Sequence, residues 1–266
     1  MLKLKIYDVG HGSSTLIETD TIKILFDFGS KTNREFNPFK INESYSLFNT
    51  HPHIDHISAL KYLTQYNYDS FLIRKIPSDL IQKLIDEAES DEDKSIYILY
   101  KKLNSEKNGL VPYERNPLNQ RYNGGVEIEL FTPQQDYKDL NYYSIAILLR
   151  YRGFKILLTG DNDENNLEEL MNCESFKKEI QNIDVLLAPH HGHESGYHEE
   201  FLMHVNPKIT LISDENDDKV IKDTYKSNSR GHVVKGKGTQ KCLTTYENGE
   251  INIEIYGHDM TISCEK

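Results

Sequence analysis

The segment at residues 49–56, which reads Asn-Thr-His-Pro-His-Ile-Asp-His, constrains the fold of this chain more than any other stretch. An apolar strand is predicted before it at residues 46–48, and an amphipathic helix is predicted to begin after it at residue 57. Three imidazoles and one carboxylate therefore gather where a strand ends and a helix begins. Pro52 favours an extended backbone at His51, so alternate side chains of this loop can point the same way.

This spacing indicates a metal site. His51 and His53 can bind one ion, while Asp55 and His56 can reach a neighbouring ion. Their imidazole and carboxylate donors suit zinc, manganese or iron, and no cysteine lies nearby to favour a softer metal. A solvated polar loop is the alternative, but four ligand-type residues within six positions favour the metal site.

Composition narrows the classes of protein that fit. The 266 residues are 37% hydrophobic, which suffices for a sizeable core in one large domain or at most two. A net charge of −11 argues against a positively charged coat for general nucleic-acid binding, although a local basic groove is compatible with it. The three cysteines are far apart, which predicts no disulfide framework and fits a reducing cytoplasm. No apolar run has the length of a membrane helix or the form of an export signal.

Two acidic residues at predicted strand ends are further candidates for the site. Asp27 follows an apolar run, and we expect it to accept a hydrogen bond from a ligand histidine and so fix its tautomer; orienting the loop is the alternative. Asp161 ends a buried strand with the sequence Gly-Asp, which places a carboxylate at the rim of a sheet, where it can bridge two ions. A helix N-cap is the alternative role for Asp161. His11 lies in a glycine-flanked turn and faces either the metal site or solvent.

A second group of histidines repeats this logic. The apolar run at residues 183–188 predicts a strand, and it is followed by Pro-His-His-Gly-His-Glu-Ser at residues 189–195. Two or three imidazoles therefore lie at another strand end. Together with the first cluster and Asp161, they supply enough ligands for two ions.

Two other segments were considered for substrate contact. An insertion is predicted around residues 79–125. Its part at residues 104–125 is rich in Gly, Pro and Asn, and we expect this part to lie over the site or at its rim. A surface elaboration or an oligomer contact is the alternative. Residues 219–241 carry seven lysines and arginines against the single acid Asp223. We expect Arg230, Lys235 and Lys237 to contact a phosphodiester backbone there, with a solvated basic face as the alternative.

The order of five motifs resembles the metallo-β-lactamase fold. More narrowly, it is similar to the nuclease domain of the DNA-uptake protein ComEC and its soluble relatives. The motifs are Asp-Val-Gly-His-Gly at 8–12, Phe-Asp-Phe-Gly at 26–29, Thr-His-Pro-His-Ile-Asp-His at 50–56, Leu-Leu-Thr-Gly-Asp at 157–161 and Ala-Pro-His-His-Gly at 188–192. The resemblance implies an α/β fold, a four-layer αββα sandwich with two mixed sheets and flanking helices, in one domain over residues 1–266.

The resemblance also implies roles for individual residues. As metal ligands it implies His51, His53, Asp55, His56 and Asp161, with His190 or His191 as a further ligand; of these two we expect His190. In the expected mechanism Asp55 helps to orient the nucleophile, and His191 or His232, or alternatively His190, neutralises or protonates the leaving oxygen. His232 is either a final ligand, a phosphate contact or a plain loop residue. Asp27, His11, Asn141 and Ser144 are expected to support the ligands.

The chain departs from that pattern in three places. No histidine lies between residues 57 and 160, where many members of the fold place another ligand, so one ion is expected to be more open to water or substrate. His11 and Ser14 replace a Gln and an Asp of the ComEC branch. The late Asn-x-Tyr-Gly-His-Pro segment of that branch is altered here to Asn-Ser-Arg-Gly-His-Val at residues 228–233.

The predicted function is that of a metal-dependent hydrolase. We expect a phosphodiesterase or nuclease acting on DNA, RNA or a nucleotide through a hydroxide held by two divalent ions, Zn or Mn. A small-molecule hydrolase of lactones, thioesters or β-lactams is the first alternative. The second is an effector of a bacterial defence system that is regulated by a protein partner encoded in the same operon. No membrane contact is expected, and the sequence does not predict an oligomeric state.

Overall fold

The apolar runs of the sequence form β-strands along the chain. The computed structural model describes residues 1–64, 68–106, 116–134, 139–215 and 218–266, with the backbone alone at residues 72, 73 and 106. In chain order the strands are β1 (Leu2–Ile6), β2 (Ser14–Glu18), β3 (Lys23–Phe28), β4 (Tyr45–Asn49), β5 (Tyr68–Ile73), β6 (Glu127–Phe131), β7 (Ala146–Tyr151), β8 (Phe154–Leu158), β9 (Val185–Leu187), β10 (Ile209–Ile212), β11 (His232–Val234), β12 (Gly238–Gln240), β13 (Cys242–Thr244), β14 (Ile251–Tyr256) and β15 (Asp259–Cys264).

Helices and short turns connect these strands. The α-helices are α1 (Ile54–Ile57), α2 (Ser78–Asp86), α3 (Asp91–Glu106), α4 (Glu164–Met171), α5 (Glu174–Glu179), α6 (Glu199–Val205), α7 (Lys222–Ser227) and α8 (Thr245–Asn248). Turns of 3-10 helix occur at Ser58–Tyr62, Leu140–Tyr143, Pro189–Gly192 and Glu194–Gly196.

The strands of the described chain form two sheets. The first has the order β12-β11-β15-β14-β1-β2-β3-β4-β5, and the second has the order β13-β10-β9-β8-β7-β6. Both sheets are mixed, because β3, β4 and β5 are parallel in the first sheet while β1 pairs antiparallel with its neighbours. In the second sheet β8, β9, β10 and β13 are parallel, whereas β6, β7 and β8 are antiparallel.

Successive side chains of each strand point to opposite faces of its sheet, and this alternation shows where the hydrophobic cores lie. In β3, Ile24 and Phe26 face the core between the two sheets, and Leu25 faces the outer core beneath α2 and α3. In β8, Ile156 faces the inner core, while Leu157 faces the opposite outer core beneath α4, α5 and α6. Four layers result, with helices outside and sheets inside. The predicted two mixed sheets with flanking helices are thus confirmed.

A short helix interrupts the last strands of the chain. Residues 242–251 contain several β-branched residues, which favour a strand, yet the short helix α8 separates β13 from β14. Thr244 begins this helix because its hydroxyl accepts a hydrogen bond from the N–H of Glu247, and Gly249 ends it with a positive φ of 66°. The helix cap at Thr244 and the glycine at 249 therefore outweigh the strand preference of the β-branched residues on either side.

The predicted insertion contains α2 and α3, which pack on the first sheet through Ile81 and Tyr100. Residues 107–115 of the insertion lie outside the described residues, and its limits, like the single domain, stay predictions. Within the described ranges, no helix combines the length and apolar character needed to cross a bilayer.

Candidate metal centre

Loops from both sheets meet at one edge of the sandwich. The loop between β4 and α1 carries the first histidine cluster, the loop after β8 carries Asp161, and the turn after β9 carries His190 and His191. Parallel neighbours end at the same edge of a sheet, so the carboxyl ends of β8 and β9 bring their loops together. The sequence places polar side chains at each of these ends.

The first ligand group consists of Asp55, His56, Asp161 and His191, all of them buried. The Nε2 atom of His56 lies 3.1 Å from Oδ1 of Asp161 and 3.2 Å from Nε2 of His191. Oδ2 of Asp55 lies 3.3 Å from the same nitrogen of His191. Four potential donor atoms thus surround one point.

The second ligand group consists of His51, His53 and Asp161. Nε2 of His51 lies 2.9 Å from Nδ1 of His53 and 3.6 Å from Oδ2 of Asp161. The two carboxylate oxygens of Asp161 therefore face different groups, Oδ1 the first and Oδ2 the second. This is the placement expected of a bridging carboxylate.

The donor set fits divalent ions. Ligands of a tetrahedral zinc ion have bonds of about 2.0–2.2 Å, so two donor atoms of one ion lie roughly 3.3 Å apart. The distances from Asp161 Oδ1 to His56 and from Asp161 Oδ2 to His51, 3.1 Å and 3.6 Å, bracket that value. Neutral imidazole and carboxylate donors in a buried cluster suit zinc, manganese or iron.

Asp27 fixes the ring of His56. Its Oδ2 atom lies 2.8 Å from Nδ1 of His56 and accepts a hydrogen bond of the same length from the hydroxyl of Thr50. Its Oδ1 atom accepts 2.8 Å bonds from the side-chain amide of Asn49 and from the N–H of Thr50. With a hydrogen held on Nδ1, Nε2 is the nitrogen that His56 can offer to an ion, once its own proton is displaced. This geometry matches the predicted role of Asp27.

Two glycines allow the supporting loops to approach the helix that carries Asp55 and His56. A Cβ atom at Gly29 would lie 2.5 Å from the carbonyl carbon of Asp55, and one at Gly12 would lie 2.8 Å from its carbonyl oxygen. The N–H of Ser13 donates to that same oxygen at 3.0 Å. Any side chain at either position would push α1 away from the end of β3.

His11 lies on the outer side of the first group. Its Nε2 atom is 3.4 Å from Oδ2 of Asp55, and its Nδ1 atom is 3.5 Å from Oε1 of Glu215. Its ring lies 5.1 Å from that of His191. His11 therefore joins the site rather than facing only solvent.

Burial and charge act differently on the histidines of the two groups. Burial lowers the pKa of His51 well below its ordinary value and also lowers the pKa of His53, so both rings are neutral. Burial also disfavours charge on His191, but the carboxylates of Asp161 and Asp55 dominate and raise its pKa to about 10. For His56 the carboxylates likewise outweigh burial and hold the pKa well above its ordinary value.

The turn at Pro189–Gly192 separates two adjacent histidines. His190 and His191 both have left-handed backbones, with φ of 49° and 54°. Such conformations cost about 1–3 kcal/mol each for residues other than glycine and tend to occur at functional sites. They direct His191, which we expected to be catalytic, into the first ligand group. His190, which we expected to be a ligand, lies outside both groups, with its Nε2 atom 3.8 Å from Oδ2 of Asp161.

Asn141 and Ser144 lie behind Asp161. The hydroxyl of Ser144 accepts a hydrogen bond from the N–H of Asp161 at 3.2 Å, which holds the backbone at the carboxylate. The carbonyl of Asn141 accepts from the side chain of Asn166 at 2.8 Å. Within the described chain, Oδ1 of Asn141 is buried and makes no hydrogen bond.

His232 and Arg230 are not brought to the cluster. His232 pairs with Gln240 in β11, and its pKa is lowered by burial and by the charge of Lys208, which precedes β10. Arg230 donates to the carbonyls of Asn206 and Ile183 at 2.9 Å and 3.2 Å. Ile183 precedes β9, whereas the site follows it, so Arg230 lies at the opposite end of the second sheet. His232 lies in β11 of the first sheet, beside Lys208, which precedes β10. Their predicted contacts with substrate are not supported by this geometry.

Lys235 and Lys237 lie in the turn between β11 and β12. Strand β11 is four positions from β2 in the first sheet, a lateral distance of roughly 20 Å at the usual strand spacing. Lys222, from the same basic segment, forms an ion pair with Glu247. Lys222, Lys235 and Lys237 therefore lie on different elements of the fold, and the turn that carries Lys235 and Lys237 is far from the loops of the metal centre.

A cleft of about 170 Å³ opens beside the ligand groups. It is lined by His11, His190, His191, His193, Asp214 and Val220. Neither Asp214 nor Glu215 was predicted to lie near the site, since both come from the loop after β10 and nothing in their local sequence marks them. Ser195 was also missed, although it belongs to the predicted second histidine segment.

Solved structures of low sequence identity share this fold. The chain is similar to Igni18, a metallo hydrolase from Ignicoccus hospitalis KIN4/I, with a TM-score of 0.50, 18% identity and coverage of 96% of this chain and 100% of that one. It is also similar to Zn²⁺-bound PqqB from Methylobacterium extorquens, with a TM-score of 0.52, 10% identity and coverage of 95% and 100%. The chain spans 49% of a protein of unknown function from Enterococcus faecalis V583, which covers 70% of this chain with 14% identity and a TM-score of 0.45.

No curated protein matches the chain in sequence. The family model described as the Metallo-beta-lactamase superfamily matches residues 7–213, a range that contains both ligand groups. With its two mixed sheets and the buried histidine and aspartate cluster at one edge, the chain belongs to the metallo-β-lactamase superfamily, whose members are generally metal-dependent hydrolases.

Proposed function

We propose that this protein is a hydrolase that binds two divalent ions, Zn²⁺ or Mn²⁺, and cleaves a phosphodiester in DNA, RNA or a nucleotide. The observation that carries the proposal is the position of Asp161, whose two oxygens face two separate ligand groups. Paired ions suit in-line displacement at phosphorus, because they stabilise both the attacking and the leaving oxygen. The resemblance of the five motifs to the ComEC branch supports the same substrate class.

The residues would divide between the ions as the distances suggest. His51, His53 and Asp161 would hold one ion; Asp55, His56, Asp161 and His191 would hold the other. When bound, such ions act as Lewis acids that lower the pKa of water and polarise the scissile group.

The remaining work falls to side chains of the chain itself. Asp27 keeps the hydrogen of His56 on Nδ1, away from the ligand position. The carboxylate of Asp55 is placed to accept a hydrogen bond from the attacking water and so to orient it. His11 closes the outer side of Asp55, and His190 and His193 line the cleft where a leaving group would lie.

A second candidate is a hydrolase of a compact ester such as a lactone, thioester or β-lactam. The cleft of about 170 Å³ is small, and the acidic side chains of Asp214 and Glu215 lie beside it. Together with the net charge of −11, these acids disfavour a long polyanion close to the cleft. A nucleic acid would then present only one phosphodiester to the site.

The test is hydrolysis by the purified, metal-stripped chain after addition of Mn²⁺, Zn²⁺ or Mg²⁺. Labelled single- and double-stranded DNA and RNA would be assayed beside lactone, thioester and β-lactam substrates. Asp161→Ala should abolish turnover and weaken binding of both ions, whereas Asp259→Ala, an exposed aspartate on β15, should behave as wild type. Full turnover and full metal content in Asp161→Ala would refute the bridging role, and turnover of esters alone would select the second candidate.

A further inference from the structure

Three side chains of the second histidine segment form a hydrogen-bonded chain. The hydroxyl of Ser195 lies 2.8 Å from Nδ1 of His193 and 2.9 Å from Nδ1 of His190. The N–H of Ser195 lies 3.1 Å from the same nitrogen of His193. The directions of these bonds determine which nitrogen of each ring carries hydrogen.

The bond from the backbone of Ser195 sets the first direction. A backbone N–H can only donate, so Nδ1 of His193 accepts, and in the neutral ring the hydrogen lies on Nε2. Because that Nδ1 has no hydrogen, the hydroxyl at 2.8 Å must donate to it as well. The single hydrogen of the Ser195 hydroxyl is then engaged.

The tautomer of His190 follows. With its hydrogen directed at His193, the oxygen of Ser195 can only accept from Nδ1 of His190 at 2.9 Å. His190 therefore carries its hydrogen on Nδ1, and its Nε2 atom presents a lone pair.

That lone pair faces another acceptor. Nε2 of His190 lies 3.8 Å from Oδ2 of Asp161, the same oxygen that lies 3.6 Å from Nε2 of His51. Two lone pairs that point into one space repel each other unless a cation or a donor lies between them. The second ligand group adjoins this space, and it has three protein donors where a tetrahedral ion takes four.

We propose that His190 is the fourth protein ligand of the ion bound by His51, His53 and Asp161, and that Ser195 and His193 are positioning residues that fix its tautomer. The inference rests on the metal centre of the proposed function and is independent of the substrate. His190 lies outside the preformed group, so its ring closes onto the ion when the ion binds. The gap left by the lack of histidines between residues 57 and 160 is thus filled from the opposite sheet.

The tautomers can be measured without metal and without substrate. In metal-free protein labelled with ¹⁵N-histidine, the ¹⁵N shifts of each ring distinguish the Nδ1–H form from the Nε2–H form, and the His190→Gln and His193→Gln variants assign the signals. We expect Nδ1–H at His190 and Nε2–H at His193. Nε2–H at His190 in the wild-type chain would overturn the proposed network.

Metal binding tests the ligand role. Zn²⁺ and Co²⁺ affinities would be measured by competition with a chelator, together with the visible spectrum of the Co²⁺-loaded chain. His190→Ala should weaken one ion and change its spectrum while leaving the other ion in place. Ser195→Ala should weaken the same ion by about 10–100-fold, as is typical when the partner of a ligand histidine is removed.

Controls separate positioning from a general loss of structure. Ser195→Thr retains the hydroxyl and should restore binding, and Ser227→Ala removes an exposed hydroxyl on α7 and should have no effect. Thermal unfolding of the metal-free variants verifies folding, and Ser195→Thr still tests the network if Ser195→Ala unfolds. Wild-type affinities and an unchanged Co²⁺ spectrum in His190→Ala would refute the ligand role.

The outcome is distinguishable from failure of the proposed function. A chain that binds two ions and responds to His190→Ala as expected, but hydrolyses no phosphodiester, refutes the substrate class alone. A chain in which His51→Ala and His190→Ala both leave metal content unchanged refutes the second ion site and the inference with it.

Discussion

Replacement of Asp27 by asparagine tests how the metal centre depends on a single buried carboxylate. Asp27 is 2% exposed, and its two oxygens contact Asn49, both the N–H and the hydroxyl of Thr50, and Nδ1 of His56, each at 2.8 Å. Asparagine has the same shape but only one acceptor oxygen. One pair of these contacts must therefore lose its acceptor.

Each orientation of the new amide has a defined cost. If the NH₂ group of the asparagine replaces Oδ2, this donor faces Nδ1 of His56, and Nδ1 must release its hydrogen in order to accept. The ring hydrogen then lies on Nε2, where it blocks the ligand position. If the NH₂ group replaces Oδ1, the buried donors of Asn49 and Thr50 face another donor. A buried donor without an acceptor costs about 1–3 kcal/mol, so a loss of about 2 kcal/mol is expected for the metal-free fold.

Thermal unfolding measures the loss of stability, and metal titration measures the loss of the ligand position. A loss of about 2 kcal/mol should lower the Tm of the metal-free chain by about 4–8 °C for a protein of this size. Zn²⁺ affinity, measured by competition with a chelator, should fall by about 10–100-fold. Asp259→Asn, an exposed substitution of the same kind, should change neither quantity. Wild-type metal affinity in a folded Asp27→Asn chain would refute the argument that Asp27 sets the tautomer of His56.

Two further substitutions test the supporting structure. Gly29→Ala places a Cβ atom 2.5 Å from the carbonyl carbon of Asp55. It should lower the free energy of unfolding in urea by about 1–3 kcal/mol and reduce metal content. Unchanged stability and metal content would contradict the close approach. Arg230→Ala removes hydrogen bonds to two carbonyls at the far end of the second sheet. It should therefore lower the stability of the fold without changing metal affinity or turnover. A selective loss of nucleic-acid binding would instead support the predicted contact of Arg230 with substrate.

The first cluster could be predicted from sequence because its geometry is local. Two histidines two residues apart on an extended loop point the same way. The helix α1 begins at Ile54, three residues before the predicted start, and it turns Asp55 and His56 toward a neighbouring point. The position of Asp161 was predictable for a related reason, since a buried strand that ends in Gly-Asp places its carboxylate at the rim of the sheet. These inferences needed no knowledge of distant contacts.

The positions of His190 and His191 relative to the two ligand groups could not be predicted, because they depend on backbone conformation. Both residues adopt left-handed φ values although neither is glycine, and this turn sends adjacent side chains to different places. Glu215 was missed for a different reason. It reaches the site through a contact with Thr32, which is 183 residues away in the chain, and no local pattern indicates such a pairing.

The basic segment shows why charge that is clustered in sequence need not be clustered in space. A hairpin and a helix distribute its lysines over different surfaces. Lys222 is paired with Glu247, and Arg230 is engaged by backbone carbonyls. The count of seven basic residues predicted contacts with a phosphodiester backbone, but for Lys222 and Arg230 the fold supplies partners within the protein itself.

The two ligand groups differ in charge, and this difference predicts the order in which they bind metal. Burial keeps His51 and His53 neutral, so an ion can bind there without displacing a proton from either ring. In the first group, Asp161 and Asp55 outweigh burial and raise the pKa of His191 to about 10, so the ring is protonated in the metal-free chain at neutral pH. The carboxylates likewise hold the pKa of His56 well above its ordinary value, so an ion must displace protons from both rings before it can bind.

Binding at the first group should therefore strengthen as pH rises toward 10, by about tenfold per pH unit for each proton released from His56 and His191, whereas binding at the second group should change little. At limiting Zn²⁺ we expect about one ion per chain near pH 6 and a second ion near pH 9. Metal content measured across this range, together with proton release in calorimetry, checks both statements. Simultaneous filling of the two groups at every pH would mean that the buried carboxylates do not hold protons on His56 and His191, because those protons make the groups unequal.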